Sequence, residues 1–102
     1  MVVLVHPNAQ RFVQGLEKRT KAKVARHVDL LETYNYKLKE PFTKKLVSNL
    51  FELRIRGEQE IRLFYTFKHE TVYIVSGFIK KTQKTPRKEI EKSIRLIKTL
   101  DI

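Results

Sequence analysis

The chain has 102 residues, a length that fits one domain with a single modest core. Its 41% apolar fraction excludes a disordered tail, and no apolar run approaches the roughly 20 residues that span a bilayer. The net charge is +11, from 22 Lys and Arg against 11 Asp and Glu, and a field of that sign favours polyanions: RNA, DNA, an anionic membrane surface or an acidic protein. The absence of cysteine rules out a disulfide framework and thiolate metal sites. The Val2–Val5 run is too short for a signal peptide and has no basic residues before it, so the expected location is cytoplasmic.

Val2–Val5 reads as a short strand. From Pro7, the apolar residues Ala9, Phe12, Val13 and Leu16 recur at helical spacing, predicting a helix that ends near Lys18–Arg19. Thr20 has the hydroxyl expected of an N-cap for a second helix. There Val24, Val28 and Leu31 form an apolar stripe that Leu30 widens, so the two helices read as a hairpin with one apolar face. Tyr34 to Thr43 reads as a loop. The second half changes period. Leu50–Arg56, Ile61–Lys68 and Thr71–Lys81 are rich in β-branched and aromatic residues and are separated by short polar turns, which predicts a three-stranded antiparallel meander. After Thr85-Pro86, a helix start with Pro at its first position, Ile90, Ile94 and Ile97 return to helical spacing. The expected fold class is α+β, with residues 1–102 forming one domain.

Strand parity places the candidate site. A two-residue turn at His69-Glu70 sets Lys68 opposite Thr71, Phe64 opposite Val75 and Arg62 opposite Gly77. A turn at Gly57-Glu58-Gln59 sets Arg54 opposite Arg62. One face then carries Phe51, Leu53, Ile55, Ile61, Leu63, Tyr65, Phe67, Val72, Ile74, Ser76 and Phe78, a core face. The other carries Glu52, Arg54, Arg56, Arg62, Phe64, Thr66, Tyr73, Val75, Gly77, Ile79 and Lys81. Two arginines facing each other repel, and a local rule broken in mid-sheet points to function. Gly77 beside Arg62 leaves a space where a ligand could approach, so this face is expected to hold a phosphate pocket. The competing reading pairs each arginine with Glu52, Glu58 or Glu60 on a solvated face. Lys80, Lys81, Lys84, Arg87 and Lys88 form an acid-free basic run beside the pocket, suited to tracking phosphates. His6, His27 and His69 are scattered and outside the pocket, which argues against a histidine-pair ribonuclease and against a zinc site.

Three stretches together resemble a known family. Leu50-Phe51-Glu52-Leu53-Arg54, Ile61-Arg62-Leu63-Phe64-Tyr65, and Gly77-Phe78-Ile79-Lys80-Lys81-Thr82-Gln83-Lys84-Thr85-Pro86 look like the signature of phage-derived HigB-like toxins in the RelE/ParE superfamily. The resemblance spans nearly the whole chain. It implies a RelE-like fold: an N-terminal strand and helical hairpin, an antiparallel meander and a C-terminal helix. It implies a metal-independent, cofactor-free mRNA interferase of a type II toxin–antitoxin system that cuts message on the ribosome. It also implies a cognate antitoxin with a helix-turn-helix domain, and no membrane partner. By resemblance the catalytic residues are Arg54, Arg62, Lys80 and Lys81, with Arg56, Lys84, Arg87 and Lys88 binding RNA. Strict parity points Lys80 away from the pocket unless the strand ends there. Glu52 stands where RelE has a lysine, and no tyrosine follows Tyr73, so the general acid and base are open. Two alternatives stand beside this reading: a ParE-like binding toxin of DNA gyrase, and a catalytically inactive relative kept for antitoxin binding.

Overall fold

The computed structural model describes residues 1–100. Its elements are β1 (Val2–Val5), α1 (Pro7–Gln14), α2 (Lys18–Tyr34), a 3-10 turn (Asn35–Lys37), β2 (Thr43–Val47), β3 (Leu50–Ile55), β4 (Ile61–Lys68), β5 (Thr71–Ile79) and α3 (Arg87–Lys98). The strands form one five-stranded sheet in the order β1-β5-β4-β3-β2. β2 to β5 run antiparallel, whereas β1 pairs with β5 in parallel. The α+β architecture with a C-terminal helix is as expected. The sheet is larger than the expected meander, because Thr43–Val47 pairs with β3 and β1 joins the far edge. The weak apolar alternation of Thr43-Lys44-Lys45-Leu46-Val47 gives an edge strand little sequence signal.

Helices cover both faces of the sheet. Against α1 and α2 lie Leu53, Ile55, Ile61, Leu63, Tyr65, Phe67, Val72 and Ile74, packed with Ala9, Leu16, Val24 and Leu31. A second cluster of Leu50, Phe64, Val75 and Phe78 packs with Ile90, Ile94 and Ile97 of α3. Burial on both faces explains why seven consecutive residues of β4, Ile61 to Phe67, are buried.

Several boundaries differ from the sequence reading. α1 stops at Gln14, because Gly15 turns the chain and donates to the Arg11 and Phe12 carbonyls. α2 then starts at Lys18 with Glu17 as its N-cap, so Thr20 is not a cap. Thr20 instead lies buried in the first turn and donates to Gln59 Oε1 at 3.2 Å. Pro86 is the N-cap of α3 rather than its first helical residue. β3 ends at Ile55 and β5 at Ile79, both short of the expected strands.

The register is correct at Lys68 opposite Thr71 and Arg54 opposite Arg62. It slips in between, because a bulge leaves Val75 without a partner: Tyr65 pairs with Ile74, but Phe64 pairs with Ser76 and Arg62 with Phe78. One extra residue reverses the faces beyond it. Ser76 and Phe78 therefore turn toward α3, where the Ser76 and Ser93 hydroxyls hydrogen-bond at 2.7 Å. Gly77 and Ile79 turn toward α1 and α2. Gly77 is thus not an open space beside Arg62: a Cβ there would lie 2.5 Å from Leu63 Cδ2 and 2.7 Å from Phe12 Cδ2. Glycine serves the close approach of α1 to the sheet.

Candidate active site

The α3 side of the sheet carries Glu52, Arg54 and Arg62 from neighbouring strands. Near the β3–β4 turn the two arginines border an open cleft of about 580 Å³, with Glu52 buried behind them. Arg54, Arg56, Arg62, Lys80 and Lys81 supply its cations, and Glu60, Thr82 and Gln83 complete the wall. β5 ends at Ile79, and the Lys80 N–H donates to the Glu60 carbonyl at 2.7 Å. That strand end, together with the upstream bulge, brings Lys80 to the cleft that strict parity would deny it.

The facing arginines do not repel freely, because carboxylates stand between them. Arg54 Nε donates to Glu52 Oε1 at 3.1 Å. Arg62 is 2% exposed and donates through Nη2 to Glu60 Oε1 at 3.2 Å and through Nη1 to the Ile61 carbonyl at 3.0 Å. Its Nε has no hydrogen-bond partner among the described residues; the nearest carboxylate oxygen, Glu52 Oε1, is 3.8 Å away. Arg56 Nη1 shares Glu60 Oε1 at 3.2 Å. Pairing with Glu52 and Glu60 thus occurs as the competing reading held, while Glu58 faces Arg19 instead. The face is not solvated, however, since Glu52 and Arg62 are both buried. Glu52 also accepts from Thr85 Oγ1 at 2.6 Å, tying the basic loop to the sheet.

This crowding has electrostatic consequences. Burial, followed by the charges of Arg62, Arg54 and Arg56, holds the Lys80 ammonium below its usual range, with Glu52 opposing them. Glu60 is pushed up by burial, but the Gly57 N–H, its hydrogen bond to Arg62 and the charges of Arg62 and Arg56 outweigh this and lower it. A lysine whose proton affinity is lowered beside fixed guanidinium groups is the type of group that, when neutral, takes a proton from a hydroxyl while its neighbours hold an anion.

The cleft brings together Arg54, Arg62, Lys80, Lys81 and Arg56 of the sequence-expected residues. Lys84, Arg87 and Lys88 are exposed outside its lining, in the loop and first turn of α3. Glu60 and Thr85 escaped the sequence reading as site residues. Glu52 was visible as a departure, and its shared face with both arginines was the signal for its bridging role. The histidines lie elsewhere: His6 caps α1 through Nδ1 at 3.0 Å from the Asn8 nitrogen, His27 contacts the Lys23 carbonyl, and His69 occupies a turn. Among the described residues no group of three or more His, Asp or Glu side chains could hold a metal ion.

The family model for the phage derived protein Gp49-like (DUF891) matches residues 11–98. The chain belongs to this family. No curated protein sequence matches it. Three solved structures share the fold of this Gp49-like protein. A chain of the archaeal RelE-RelB complex from Pyrococcus horikoshii OT3 is 23% identical, with a TM-score of 0.56 over 82% of this chain and 97% of that one. A chain of the intact E. coli RelBE toxin-antitoxin complex is 14% identical, with a TM-score of 0.60 over 79% and 98%. A chain of the YoeB dimer from Staphylococcus aureus is 19% identical, with a TM-score of 0.59 over 80% and 97%. The Gp49-like chain therefore has the fold of these structures, a RelE-like fold. Among its described residues no helix is long and apolar enough to cross a membrane.

Proposed function

We propose that this Gp49-like protein is the toxin of a toxin–antitoxin pair and cleaves mRNA in the Arg54–Arg62–Lys80 cleft. The observation that carries the reading is Lys80: it is held below its usual protonation range in a cleft walled by guanidinium groups, on a RelE-type fold. In the proposed reaction neutral Lys80 takes the proton of a ribose 2′-hydroxyl. The 2′-oxygen bonds to the adjacent phosphorus, and the bond from phosphorus to the 5′-oxygen breaks. The departing 5′-oxygen takes a proton from Lys81, leaving a 2′,3′-cyclic phosphate and a 5′-hydroxyl. Arg54, 16% exposed and therefore within reach of solvent, offers its guanidinium to the phosphate oxygens that gain charge. Arg62 acts from behind the cleft floor as a fixed positive charge, because it is buried and already bonded to Glu60.

The partners proposed are mRNA on the ribosome and an acidic antitoxin segment attracted by the +11 chain. The complexes formed by the RelE and RelBE relatives support the second. The test is a reconstituted translation reaction in which new 5′ ends on the message are mapped by primer extension. Ribosome-dependent cuts lost in Lys80→Ala are the expected result. Cuts on free RNA would remove the ribosome requirement, and no cuts in any reaction would overturn the nuclease reading.

A further inference from the structure

A second cationic surface lies outside the cleft, on the segment joining α2 to β2. Tyr34, Tyr36 and Phe42 are exposed there, with Lys37, Lys39, Lys44 and Lys45 distributed among and beyond them. Among the described residues none of these lysines is in an ion pair. The only acid between Tyr34 and Lys45 is Glu40, and it is turned toward Arg54, 3.8 Å from Nη1. Lys37, Lys39 and Lys45 therefore present positive charge outside any ion pair among the described residues, while Lys44 stands across the strand pair from Glu52.

Tyr36 is the built part of this surface. Its ring rests on Phe67, with centroids 4.2 Å apart and planes tilted by 32°. Its backbone N–H donates to Asn35 Oδ1 at 2.7 Å, fixing the turn that presents it. The ring is supported from one side, yet the residue is 58% exposed. Beside it opens a groove of about 420 Å³ that also borders Phe51, Tyr65, Lys39, Lys44 and Lys45. Glu40 lines this groove and also contacts Arg54, so the groove adjoins the catalytic cleft around the β2 edge.

We infer that this groove binds single-stranded RNA flanking the cleavage site, with a base stacked on Tyr36 and its phosphates held by Lys39 and Lys45, the latter registered opposite Phe51 on the groove face. An aromatic ring with one supported and one free face, next to unpaired cations, is the arrangement that holds unpaired bases without reading their sequence. An acidic protein would use the lysines but not the flat free ring, and continuity with the cleft favours the strand on which that cleft would act. The inference rests on the reading of the chain as a toxin acting on RNA, and it deepens that reading by adding a binding track.

The test uses the full chain and a fluorescent single-stranded RNA in which every 2′-hydroxyl is methylated. Such RNA cannot be cut by 2′-oxygen attack, so binding is read apart from cleavage. Affinity measured by fluorescence anisotropy should fall by about fivefold to a hundredfold in Tyr36→Ala, the range for losing one stacked base, and be retained in Tyr36→Phe. In Lys39→Ala/Lys45→Ala the slope of log affinity against log salt should shrink by about 1.4, as for two lost phosphate contacts. Thermal melts establish that each variant folds. Wild-type affinity in folded Tyr36→Ala overturns the inference, even if the message is still cut in the translation reaction. A polyglutamate peptide that binds as tightly as the RNA, with the same dependence on Tyr36, overturns it in favour of an acidic protein surface. Tyr36-dependent RNA binding by a chain that cuts no message upholds the groove and rejects the nuclease reading alone.

Discussion

Thr85 Oγ1 donates to the buried Glu52 carboxylate at 2.6 Å, joining residues 33 positions apart. The same carboxylate receives Arg54 Nε at 3.1 Å. One buried acid therefore fixes both a cleft arginine and the end of the loop that carries Lys81. Thr85→Val should leave Glu52 Oε2 without this donor and destabilise the fold by about 1–3 kcal/mol. Hydrogen exchange in residues 81–85 should speed up in that variant, while Thr85→Ser should restore wild-type protection. Glu52→Ala should be more severe, at about 3–5 kcal/mol, because it strips the buried Arg62 and the partly buried Arg54 of a shared carboxylate. Chemical denaturation gives both values.

Lys80 sets an expected pH dependence. Its proton affinity is lowered first by burial and then by Arg62, Arg54 and Arg56, so the neutral form appears at lower pH than for a free lysine, whose pKa is 10.5. If Lys80 is the base, cleavage should rise with pH through that lowered value. The Lys80 side chain, followed by heteronuclear NMR, should titrate below 10.5. Removing a repelling charge with Arg56→Gln should move its midpoint upward, since Arg56 is exposed and is one of the lowering charges. Lys80→Arg stays protonated throughout, so it should lose the pH limb and about a hundredfold or more in rate.

Glu60 links the cleft to acid stability. Its folded pKa lies below the ordinary 4.5, so it contributes stability above that value that is lost as pH falls through the lowered one. Glu60→Gln should therefore flatten the acid limb of the stability curve below about pH 4.5. The side chain is 34% exposed, and solvent screening limits the loss at neutral pH to about 1 kcal/mol or less. Urea titrations at pH 3 to 7 follow the effect. An unchanged acid limb would show that Glu60 is not the group responsible.

Much of this arrangement was legible in the sequence, and the failures share a cause. Arg54 opposite Arg62 follows from a short turn and strict alternation, and the structure keeps it. The α1/α2 core face was readable from Phe51 to Ile74 for the same reason. Alternation cannot reveal an inserted residue, so the bulge at Val75 reversed Ser76, Gly77 and Phe78. β2 was missed because an edge strand with two adjacent lysines has little apolar pattern. A second core under α3 hid in plain view: Phe64, Val75 and Tyr73 lay on the face assigned to the pocket. The tie from Glu52 to the basic loop was out of reach of pattern, since it depends on a loop residue, Thr85, returning to the sheet.

Gly77 tests the corrected register. If it faced the pocket, Gly77→Ala would leave stability nearly unchanged and only narrow the ligand space. In the structure the added methyl meets Leu63 at 2.5 Å and Phe12 at 2.7 Å. Leu63 is buried and cannot swing aside, so α1 must lift from β5. The expected cost is about 1–3 kcal/mol from overpacking, seen as a Tm lower by about 4–8 °C for each kcal/mol. Phe12→Ala made together with Gly77→Ala should cost less than the sum of the two single changes, because removing the ring makes room for the methyl. Strict additivity in that double-mutant cycle would return Gly77 to the pocket face and reinstate the unbulged register.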